Sequence, residues 1–295
     1  MEILKESKNN GNLLFKLIDY KIAKEMIIEN HYSKKWNTSF GKINVGVFKD
    51  GELLGCAVFG NLMNPNSYKS LNEDFEKDSI VELNRLWIDD KLVKNAETML
   101  LGASFKLIRA LYPNVLAVQS FADGRLGCGT IYKAANFNYY GFNKSLFFED
   151  QDTGEVFHKV PLENTKRPLG FIGKNLKYID GRLLPFHVKT YRYIYPLYKK
   201  IPIRLKQEPY PEYDIGQEYV DFKHSIGLLC RLYLMLGMID PDNAYTAKLY
   251  QMLLDSYSIH DIETEILNQK NNKSVIWFEN EYAKNNREKL LELIQ

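Results

Sequence analysis

Residues 81–90 read VELNRLWIDD, and their alternation of apolar and polar side chains predicts a β-strand. Glu82, Asn84 and Arg85 stand where a core strand would carry apolar residues, so each of them needs a polar partner. Arg85 has two interpretations: a structural ion pair with Glu82 or another nearby acid, or a clamp on a phosphate or carboxylate at the strand end. The residues of this strand alone leave both open.

Strand and helix patterns alternate along the chain on both sides of this strand. Upstream, residues 14–20 predict a strand, residues 21–30 a short helix, and residues 43–60 a β-hairpin with its turn at Lys49-Asp50-Gly51. Downstream, the predicted elements are a helix capped by Asn95 and ended by Pro113, a buried strand over 115–123, a glycine-opened helix over 127–137 and a strand from Tyr139. This order predicts an α/β (α+β) fold with a mixed central sheet flanked by helices.

Changes in composition divide the chain into three predicted parts. Residues 1–165 form the core. Residues 166–206 carry eleven Lys or Arg against one acid, and residues 207–222 carry five acids and no base. Residues 166–216 are therefore interpreted as a basic, aromatic extension with an acidic linker. Beyond it, apolar residues at helical spacing predict a small C-terminal helical domain over residues 217–295.

The overall composition is that of a soluble globular protein, with 45% hydrophobic residues, 26% charged residues and a net charge of +2. Cys56, Cys128 and Cys230 lie far apart, which suits a reducing compartment and argues against a disulfide scaffold or zinc knuckle. No apolar run reaches the roughly 18 residues of a membrane span. We therefore expect a cytoplasmic protein that does not associate with membranes.

Residues 119–132, QSFADGRLGCGTIY, place more polar residues at the end of the next predicted strand. Ser120 and Asp123 lie where open α/β sheets bind ligands. Three glycines then lead into the predicted helix, whose N-terminal amides would favour an anion, although tight turns alone also explain these glycines.

His31, in the stretch NHYSKKW over residues 30–36, is a further candidate as acid, base or metal ligand. A lone histidine is also commonly a hydrogen-bonded surface residue. No H-x-x-x-H or H-x-E pattern indicates a metal, and a site that combined His31 with Asp123 or Glu82 would have to be assembled from separate elements. The metal, if one binds, stays unknown.

The basic stretch over residues 166–206 also invites two interpretations. A solvated charged face is the ordinary one. The large excess of cations, together with aromatic rings on which an extruded base could stack, equally suits nucleic-acid binding. The interleaved aromatic residues are Tyr178, Phe186, Tyr191, Tyr193, Tyr195 and Tyr198. The candidate nucleic-acid contacts are Lys189, Arg192, Lys199, Lys200 and Arg204.

Taken together, these stretches resemble the Mom family of bacteriophage DNA-modification proteins. The pieces that match in order are HYSKKW, GELLGCAVFG, VELNRLWIDD, the NAE helix start, QSFADGRLGCGTIYKAANFNYYG and PYPEYD. They cover about residues 14 to 214, and the Glu-Leu-Asn-Arg-Leu and Gly-Thr-Ile-Tyr…Asn-Phe pieces are the most specific. Residues 215–295 lie outside the resemblance.

The resemblance implies a fold similar to Gcn5-related N-acetyltransferases and the addition of a carbamoylmethyl (acetamido) group to the N6 amine of adenine in DNA. That modification blocks host restriction enzymes. It also implies double-stranded DNA as partner, the host cytoplasm as location and residues 1–165 as the catalytic core. The implied catalytic residues are Asp123, Arg85, His31 and Tyr132, and the implied substrate-binding residues are Ser120, Asn84, Asn136 and Tyr139. On this basis the polar strand lines a reaction site, which favours the functional interpretation of Arg85.

The group donor stays open. In Gcn5-type enzymes the loop before the main helix is rich in glycine and cradles the coenzyme A pyrophosphate. The corresponding stretch here, DDKLVKNAE over residues 89–97, has no glycine and begins with Asp89 and Asp90, which would repel phosphate. A simple acetyl transfer would also not give a carbamoylmethyl product. Acetyl-CoA, an aminoacyl donor and a metal-assisted radical step with iron all remain open, as does the oligomeric state, with a homodimer as one option.

Two other classes of function fit the same residues. A non-catalytic DNA-binding anti-restriction protein would need the basic stretch but neither Arg85 nor Asp123. An acyltransferase that acts on tRNA, a small molecule or a protein would keep the fold and change the acceptor. The mass of deoxyadenosine in digested DNA distinguishes these alternatives from adenine modification.

Overall fold

The computed structural model of the chain describes residues 1–163, 174, 177, 182–199 and 201–219. The first of two compact units contains Met1–Lys144 and Val188–Gln217, and the second contains Ser145–His187 and the chain from Glu218 onward. The predicted C-terminal helical domain over residues 217–295 lies almost entirely outside the described residues and stays a prediction, as do the three predicted domain boundaries.

Ten strands and five helices are assigned within the described residues. The strands are β1 (Glu2–Ser7), β2 (Gly11–Leu17), β3 (Ile43–Lys49), β4 (Glu52–Gly60), β5 (Ile80–Ile88), β6 (Ala117–Asp123), β7 (Asn138–Asp150), β8 (Val156–His158), β9 (Leu183–Pro196) and β10 (Gln217–Tyr219). The helices are α1 (Tyr20–Asn30), α2 (Tyr68–Leu71), α3 (Ala96–Leu111), α4 (Thr130–Ala134) and α5 (Val160–Glu163).

The first unit is built on a mixed sheet. Strands β1 to β5 follow one another in antiparallel pairs, and β5 then pairs with β6 in parallel. The part of β9 from Thr190 to Pro196 pairs antiparallel with β6 on its other side. The parallel step is possible because α3 connects β5 to β6 as a crossover. This arrangement confirms the predicted fold class of a mixed sheet flanked by helices.

Helices cover both faces of this sheet. On one face, α3 packs its apolar side against Ala57 and Phe59 of β4 and Leu83 of β5. On the other face, Ala23 and Ile27 of α1 pack against the side chains of β4 that point the opposite way. Since successive strand residues face opposite sides, β4 contributes to both cores.

Strands β5 and β6 form a fork. They pair over only three rungs, of which Glu82 and Gln119 form the last, although β5 continues to Ile88 and β6 to Asp123. Beyond the fork, β5 remains paired with β4 and β6 remains paired with β9, so each arm of the fork keeps a neighbour that holds it. The gap between the two arms is therefore held open by the pairing of each arm with its outer neighbour.

A β-bulge lies on the β5 arm of the fork. Leu83 pairs with Phe59 and Arg85 pairs with Val58, which leaves Asn84 as the extra residue of β5. An extra residue changes the phase of the alternation and redirects the side chains that follow. Arg85 consequently lies on the α1 side of the sheet, opposite Val58, although it comes two residues after a core leucine that faces α3.

The second unit contains an antiparallel strand pair with a small apolar core of its own. The part of β7 beyond Lys144 pairs antiparallel with β8, with Phe148 opposite Phe157. These two rings stack with their centroids 5.9 Å apart and pack with Leu162 and Leu183 in a small apolar core.

Several predicted element bounds are corrected by the structure. The predicted strand over 14–20 ends at Leu17, because the Asp19 side chain accepts from the Lys21 backbone N–H and caps α1. Asn95 does precede α3 but makes no side-chain cap; it adopts φ of 69°. The predicted helix over 127–137 shortens to the five residues of α4. The anion site at its start was one of two interpretations of the glycines and stays a prediction.

The basic extension is corrected most. Its residues 183–196 form the strand β9, which the sequence did not predict. Phe186, Tyr191 and Tyr193 are almost fully buried, and the Tyr195 ring stacks on Phe105 with centroids 4.2 Å apart. These aromatic residues belong to apolar cores, so they are not platforms for an extruded base. The periodic aromatic pattern that suggested stacking is the inward face of a strand.

Candidate functional site

A cavity of about 380 Å³ opens between the two arms of the fork. The four residues predicted to be catalytic, His31, Arg85, Asp123 and Tyr132, all line it. They come from the end of α1, from β5, from the end of β6 and from α4, so the fork brings together residues that lie up to a hundred positions apart in sequence. The volume is at the lower end of the roughly 300–1,000 Å³ typical of ligand sites, which suits one small group.

Arg85 lies on the β5 wall of this cavity in a partly buried environment. Its Nη1 donates to the Asn84 carbonyl oxygen over 2.6 Å, and its guanidinium lies 4.6 Å from the centroid of the Phe40 ring. Its Nε is buried and has no hydrogen-bond partner among the described residues. Burial lowers the pKa of Arg85, while Tyr32 and Glu82 raise it. A held guanidinium with an unused donor is suited to bind a further acceptor.

Glu82 is not the direct ion-pair partner that one interpretation of Arg85 required. It directs its oxygens to three donors: Asn84 Nδ2 at 3.2 Å, Gln119 Nε2 at 3.2 Å and the Met63 backbone N–H at 3.3 Å. Burial raises the pKa of the Glu82 carboxyl, and these donors and Arg192 oppose that shift. Glu82 therefore acts on Arg85 through its charge and not through contact.

Asp123 ends β6 and is held by Arg125 on the following turn. Arg125 Nε donates to Oδ1 over 2.9 Å and to Oδ2 over 3.1 Å, and Arg125 Nη2 also donates to Oδ2. The Arg125 backbone N–H donates to Oδ1 over 3.0 Å. The carboxylate is thus fixed in orientation and its charge is partly neutralised, while lone pairs remain for a ligand donor.

His31 follows the last residue of α1 and is mostly buried. The Ser33 backbone N–H donates to Nδ1 over 3.1 Å, and because that group can only donate, Nδ1 is the unprotonated nitrogen and Nε2 carries the hydrogen. Burial lowers the pKa of His31 to about 4, with a further contribution from the positive charge of Arg85. At neutral pH His31 is therefore an uncharged hydrogen-bond donor through Nε2 and not a ready base.

Tyr32 lines the cavity beside His31, with the two ring centroids 4.3 Å apart. Burial and the nearby Asp123 carboxylate raise its pKa to about 12, although 58% of the residue remains exposed. Sequence analysis did not select Tyr32. Its place directly after His31 in the matching stretch was the available signal, but an exposed tyrosine after a helix end has no distinctive pattern.

Tyr132 belongs to α4 and faces the gap from the α3 side. Its ring lies 5.0 Å from that of Tyr193 and 5.3 Å from that of Phe137, which fixes the side chain in place. Burial raises its pKa, whereas a hydrogen bond with Ser120 lowers it. The phenol therefore stays protonated at neutral pH and is held in one orientation by its neighbours.

Ser120, a predicted substrate contact, lies in the interior of the sheet. Its side chain is fully buried, and Oγ donates to the Leu83 carbonyl oxygen of β5 over 3.1 Å. Because Ser120 lies on β6, this bond joins the two strands just past their last rung. Ser120 forms a hydrogen bond with Tyr132 and is not among the residues that line the cavity.

Two other predicted substrate contacts also lie away from the cavity. Asn136 is exposed and adopts φ of 61° after the end of α4, where asparagine is favoured because it tolerates the left-handed region. Tyr139 is 4% exposed and packs against Tyr191 and Tyr193 in the core. Asn84 does line the cavity, while its amide is turned to Glu82.

The predicted nucleic-acid contacts are dispersed in the first unit. Lys189 pairs with Asp214 over 2.7 Å, and Arg204 pairs with Glu73. Arg192 is partly buried near Glu82, and its guanidinium lies 5.3 Å from the Phe121 ring. Lys199 is exposed, and Lys200 lies outside the described residues. Pairing with acids reduces the positive field of two of these cations.

The loop before α3 uses its backbone groups internally. Asn10 receives the Val93 N–H over 2.7 Å and donates to the Val93 carbonyl oxygen over 2.8 Å, and it is 2% exposed. Asp89 accepts from the Lys91 N–H over 2.9 Å. These two amides are therefore not directed at a phosphate, which agrees with the absence of glycine in this loop.

No three His, Cys, Asp or Glu side chains lie close enough to hold a metal in the part of the chain that the structure describes. Among the cavity-lining residues, His31 and Asp123 are the two whose side chains commonly bind metal ions. Cys56 and Cys128 are buried thiols, and Cys230 lies outside the described residues. No helix within the described residues is long and apolar enough to cross a membrane.

Comparisons with known proteins agree with the sequence motifs. The chain is 35% identical over 198 residues to methylcarbamoylase mom of Escherichia phage Mu, a match that covers 65% of this chain and 80% of that protein. Two solved structures resemble it more distantly. An N-acetyltransferase from Staphylococcus aureus Mu50 is 13% identical with a TM-score of 0.37 and covers 64% of this chain and 100% of its own. A ribosomal-protein-alanine N-acetyltransferase from Brucella melitensis is 11% identical with a TM-score of 0.35 and covers 61% and 99%.

The family comparison is decisive, because the model of the Mom protein family matches residues 12–212, which is more than half of the chain. This match contains both arms of the fork and all four predicted catalytic residues, and it confirms the resemblance that the motifs indicated. The chain belongs to the Mom protein family.

Proposed function

We propose that this protein is a transferase that adds a carbamoylmethyl group to the N6 amine of adenine in DNA. The observation that carries the proposal is that His31, Arg85, Asp123 and Tyr132 line one small cavity in the fork of a Mom-family sheet. The relative named methylcarbamoylase supports the type of group transferred. Protection of phage DNA from restriction in the host cytoplasm is the biological role that follows from this chemistry.

The acceptor must leave the double helix to react. Adenine N6 is stacked and paired within duplex DNA, and enzymes that act on a duplex base extrude it into a pocket. A cavity of about 380 Å³ that is bounded on both sides by sheet arms suits a single planar base. The exposed Tyr32 ring, which lines the cavity, offers a surface against which that base stacks.

Asp123 orients the amine in this proposal. The N6 group donates a hydrogen to a free lone pair of the carboxylate, whose direction is set by Arg125. Adenine N6 is a weak nucleophile because its lone pair is delocalised into the ring. A carboxylate at the N–H increases electron density on the nitrogen as the new bond forms and takes the proton as it leaves.

Arg85, His31 and Tyr132 act on the group being transferred. Arg85 has an unused Nε, and His31 presents Nε2–H, so both can donate to an oxygen of the donor. In a polar displacement, a bond forms between N6 and the methylene carbon, the bond from that carbon to the leaving group breaks, and the leaving group keeps the electron pair. Tyr132 gives its hydrogen to Ser120 Oγ, whose own hydrogen goes to the Leu83 carbonyl oxygen, so the phenol oxygen is left to accept from the donor.

The donor class is left outside this proposal. Acetyl-CoA and an aminoacyl compound both remain candidates; the Val93 N–H is already bound by Asn10 and would not serve a donor phosphate. An iron-assisted step would draw on His31 and Asp123 together with groups from outside the described residues. No step described above depends on either.

The decisive experiment measures the mass of deoxyadenosine from plasmid DNA in cells that express the protein. We expect a species heavier by one carbamoylmethyl group, and its loss in an Arg85→Ala variant that stays folded. Unmodified DNA together with tight DNA binding would instead support the non-catalytic anti-restriction protein. Unmodified DNA with modified tRNA, protein or a small molecule would support the other acyltransferase class.

A further inference from the structure

Glu82 occupies the vertex of the fork. It forms the last rung between β5 and β6 with Gln119, and the side chains of this rung are also joined, because Gln119 Nε2 donates to Glu82 Oε2 over 3.2 Å. Glu82 is 5% exposed and Gln119 is 2% exposed. The point at which the sheet opens is therefore held by a buried acid and a buried amide, where a sheet interior ordinarily carries apolar residues.

The partners of Glu82 identify its ionised form. Asn84 Nδ2, Gln119 Nε2 and the Met63 N–H all donate to its two oxygens. The Met63 N–H can only donate, and with the two amides as placed all three partners donate to Glu82, which suits the carboxylate form. A buried carboxylate is costly unless other charges balance it, so the positive groups around it need to be identified.

Two partly buried guanidinium groups supply that balance. Asn84 links Glu82 to Arg85, because its Nδ2 donates to Glu82 Oε1 and its carbonyl oxygen accepts from Arg85 Nη1. The charge of Glu82 acts on Arg85 and on Arg192, and burial lowers the pKa of both arginines. Within the described residues the Nε atom of each is buried without a hydrogen-bond partner. Tyr132, on the far side of the gap, also senses the negative charge of Glu82. One carboxylate thus balances the positive charge of two arginines from different strands.

We propose that Glu82 is a positioning residue of this site: its negative charge balances the partly buried Arg85 guanidinium and holds it in place on the cavity wall. This inference rests on the proposed function of the same cavity and adds a residue that does not line it. Glu82 itself makes no contact with the transferred group. It acts through Arg85, and through the vertex bond that fixes the two arms.

The chain allows the charge of Glu82 to be removed with little change of shape. Asn84 Oδ1 and Gln119 Oε1 are buried acceptors that lack partners in the described structure. After a Glu82→Gln substitution, the remaining oxygen can keep the Gln119 and Met63 donors, and a flip of the Asn84 amide gives the new NH₂ group an acceptor, so the three hydrogen bonds can be remade. The substitution therefore tests charge and not packing.

A swap across the fork provides the matched control. We compare wild type, Glu82→Gln, Gln119→Glu and the double variant Glu82→Gln/Gln119→Glu, by modified deoxyadenosine in plasmid DNA, thermal stability and DNA binding. We expect Glu82→Gln to bind DNA and to modify it at least tenfold less. The double variant returns a carboxylate to the vertex and should recover to within about threefold of wild type. Full modification by Glu82→Gln, or a double variant no better than Glu82→Gln, would overturn the proposal.

A second measurement needs neither donor nor DNA. In a double-mutant cycle of urea unfolding, Glu82→Gln is made in wild type and in an Arg85→Met background. If the two charges support each other, Glu82→Gln lowers the urea midpoint more when Arg85 is present. Equal shifts in both backgrounds would refute the charge coupling. A coupled pair in a protein that leaves adenine unmodified would refute the proposed function alone, so the two failures are distinguishable.

Discussion

Asp123→Asn is expected to slow adenine modification in a protein that still folds. Asp123 accepts from Arg125 Nε at 2.9 and 3.1 Å, from Arg125 Nη2 and from the Arg125 N–H at 3.0 Å. Asparagine keeps one acceptor oxygen and turns an NH₂ group toward the guanidinium. A hydrogen bond to a charged group contributes about 1.5–3 kcal/mol. For a unit of this size that loss lowers Tm by roughly 3–12 °C.

The size of the activity loss distinguishes two ways in which Asp123 could work. If it removes the N6 proton, loss of the base reduces the rate by about 10²–10⁴-fold. If it only orients the amine, the cost is that of one charged hydrogen bond, which corresponds to about 10–150-fold. The two ranges meet near 10²-fold, so a loss well above about 10²-fold indicates proton removal and a loss well below it indicates orientation alone.

The assay is a time course of the modified fraction of deoxyadenosine after induction, measured beside Tm and DNA binding. Arg125→Gln is the matched control, because it breaks the same ion pair and leaves the carboxylate. We expect a similar decrease in Tm for both variants and a smaller loss of modification for Arg125→Gln. The reasoning fails if a folded Asp123→Asn protein modifies DNA at the wild-type rate, or if both variants lose modification in proportion to Tm.

Three further outcomes are expected. Arg85→Lys should lose at least tenfold in modification while it binds DNA normally, since a point charge cannot replace a planar guanidinium with a free Nε; normal modification would show that only charge is needed. His31 has a folded pKa of about 4, below its unfolded value, so the unfolded chain binds more protons between these two values. The free energy of unfolding therefore falls as pH drops from about 6.5 toward 4, by up to roughly 3 kcal/mol. His31→Gln should flatten that part of a Tm-against-pH curve, and an unchanged curve would contradict the assignment. Joint replacement of Lys199, Lys200 and Arg204 should weaken binding to all DNA sequences alike. The slope of log binding constant against log salt concentration should fall by about 0.9 for each lost phosphate contact, and an unchanged slope would show that these cations face solvent only.

The sequence predicted those parts of the fold whose pattern is local. The hairpin over residues 43–60 follows from its turn residues, and α3 follows from a long apolar stripe. Both lie within a few residues of the predicted bounds. The four cavity residues were selected from family motifs, and their convergence required that β5 and β6 be neighbours, which the helix between them implies.

The remainder depended on contacts between distant residues. Strand β9 was interpreted as a basic surface because its lysines and arginines stand out in sequence, whereas its burial depends on pairing with β6. The link between Asp123 and Arg125 spans two residues, but nothing in the sequence shows that the turn directs the guanidinium back. Ser120 and Tyr139 were chosen by proximity in sequence, and the alternation along their strands placed both in the interior.

The bulge at Asn84 makes the site depend on strand register as well as residue identity. Up to Leu83, the odd-numbered residues of β5 face α3; from Arg85 onward they face the α1 side. If β5 paired with β4 in a regular ladder without the bulge, Arg85 would lie opposite Ala57 on the apolar side, and Leu86 would lie on the α1 side. The extra residue therefore sets the direction of every side chain after it, and the same sequence paired without the bulge would withdraw Arg85 from the cavity.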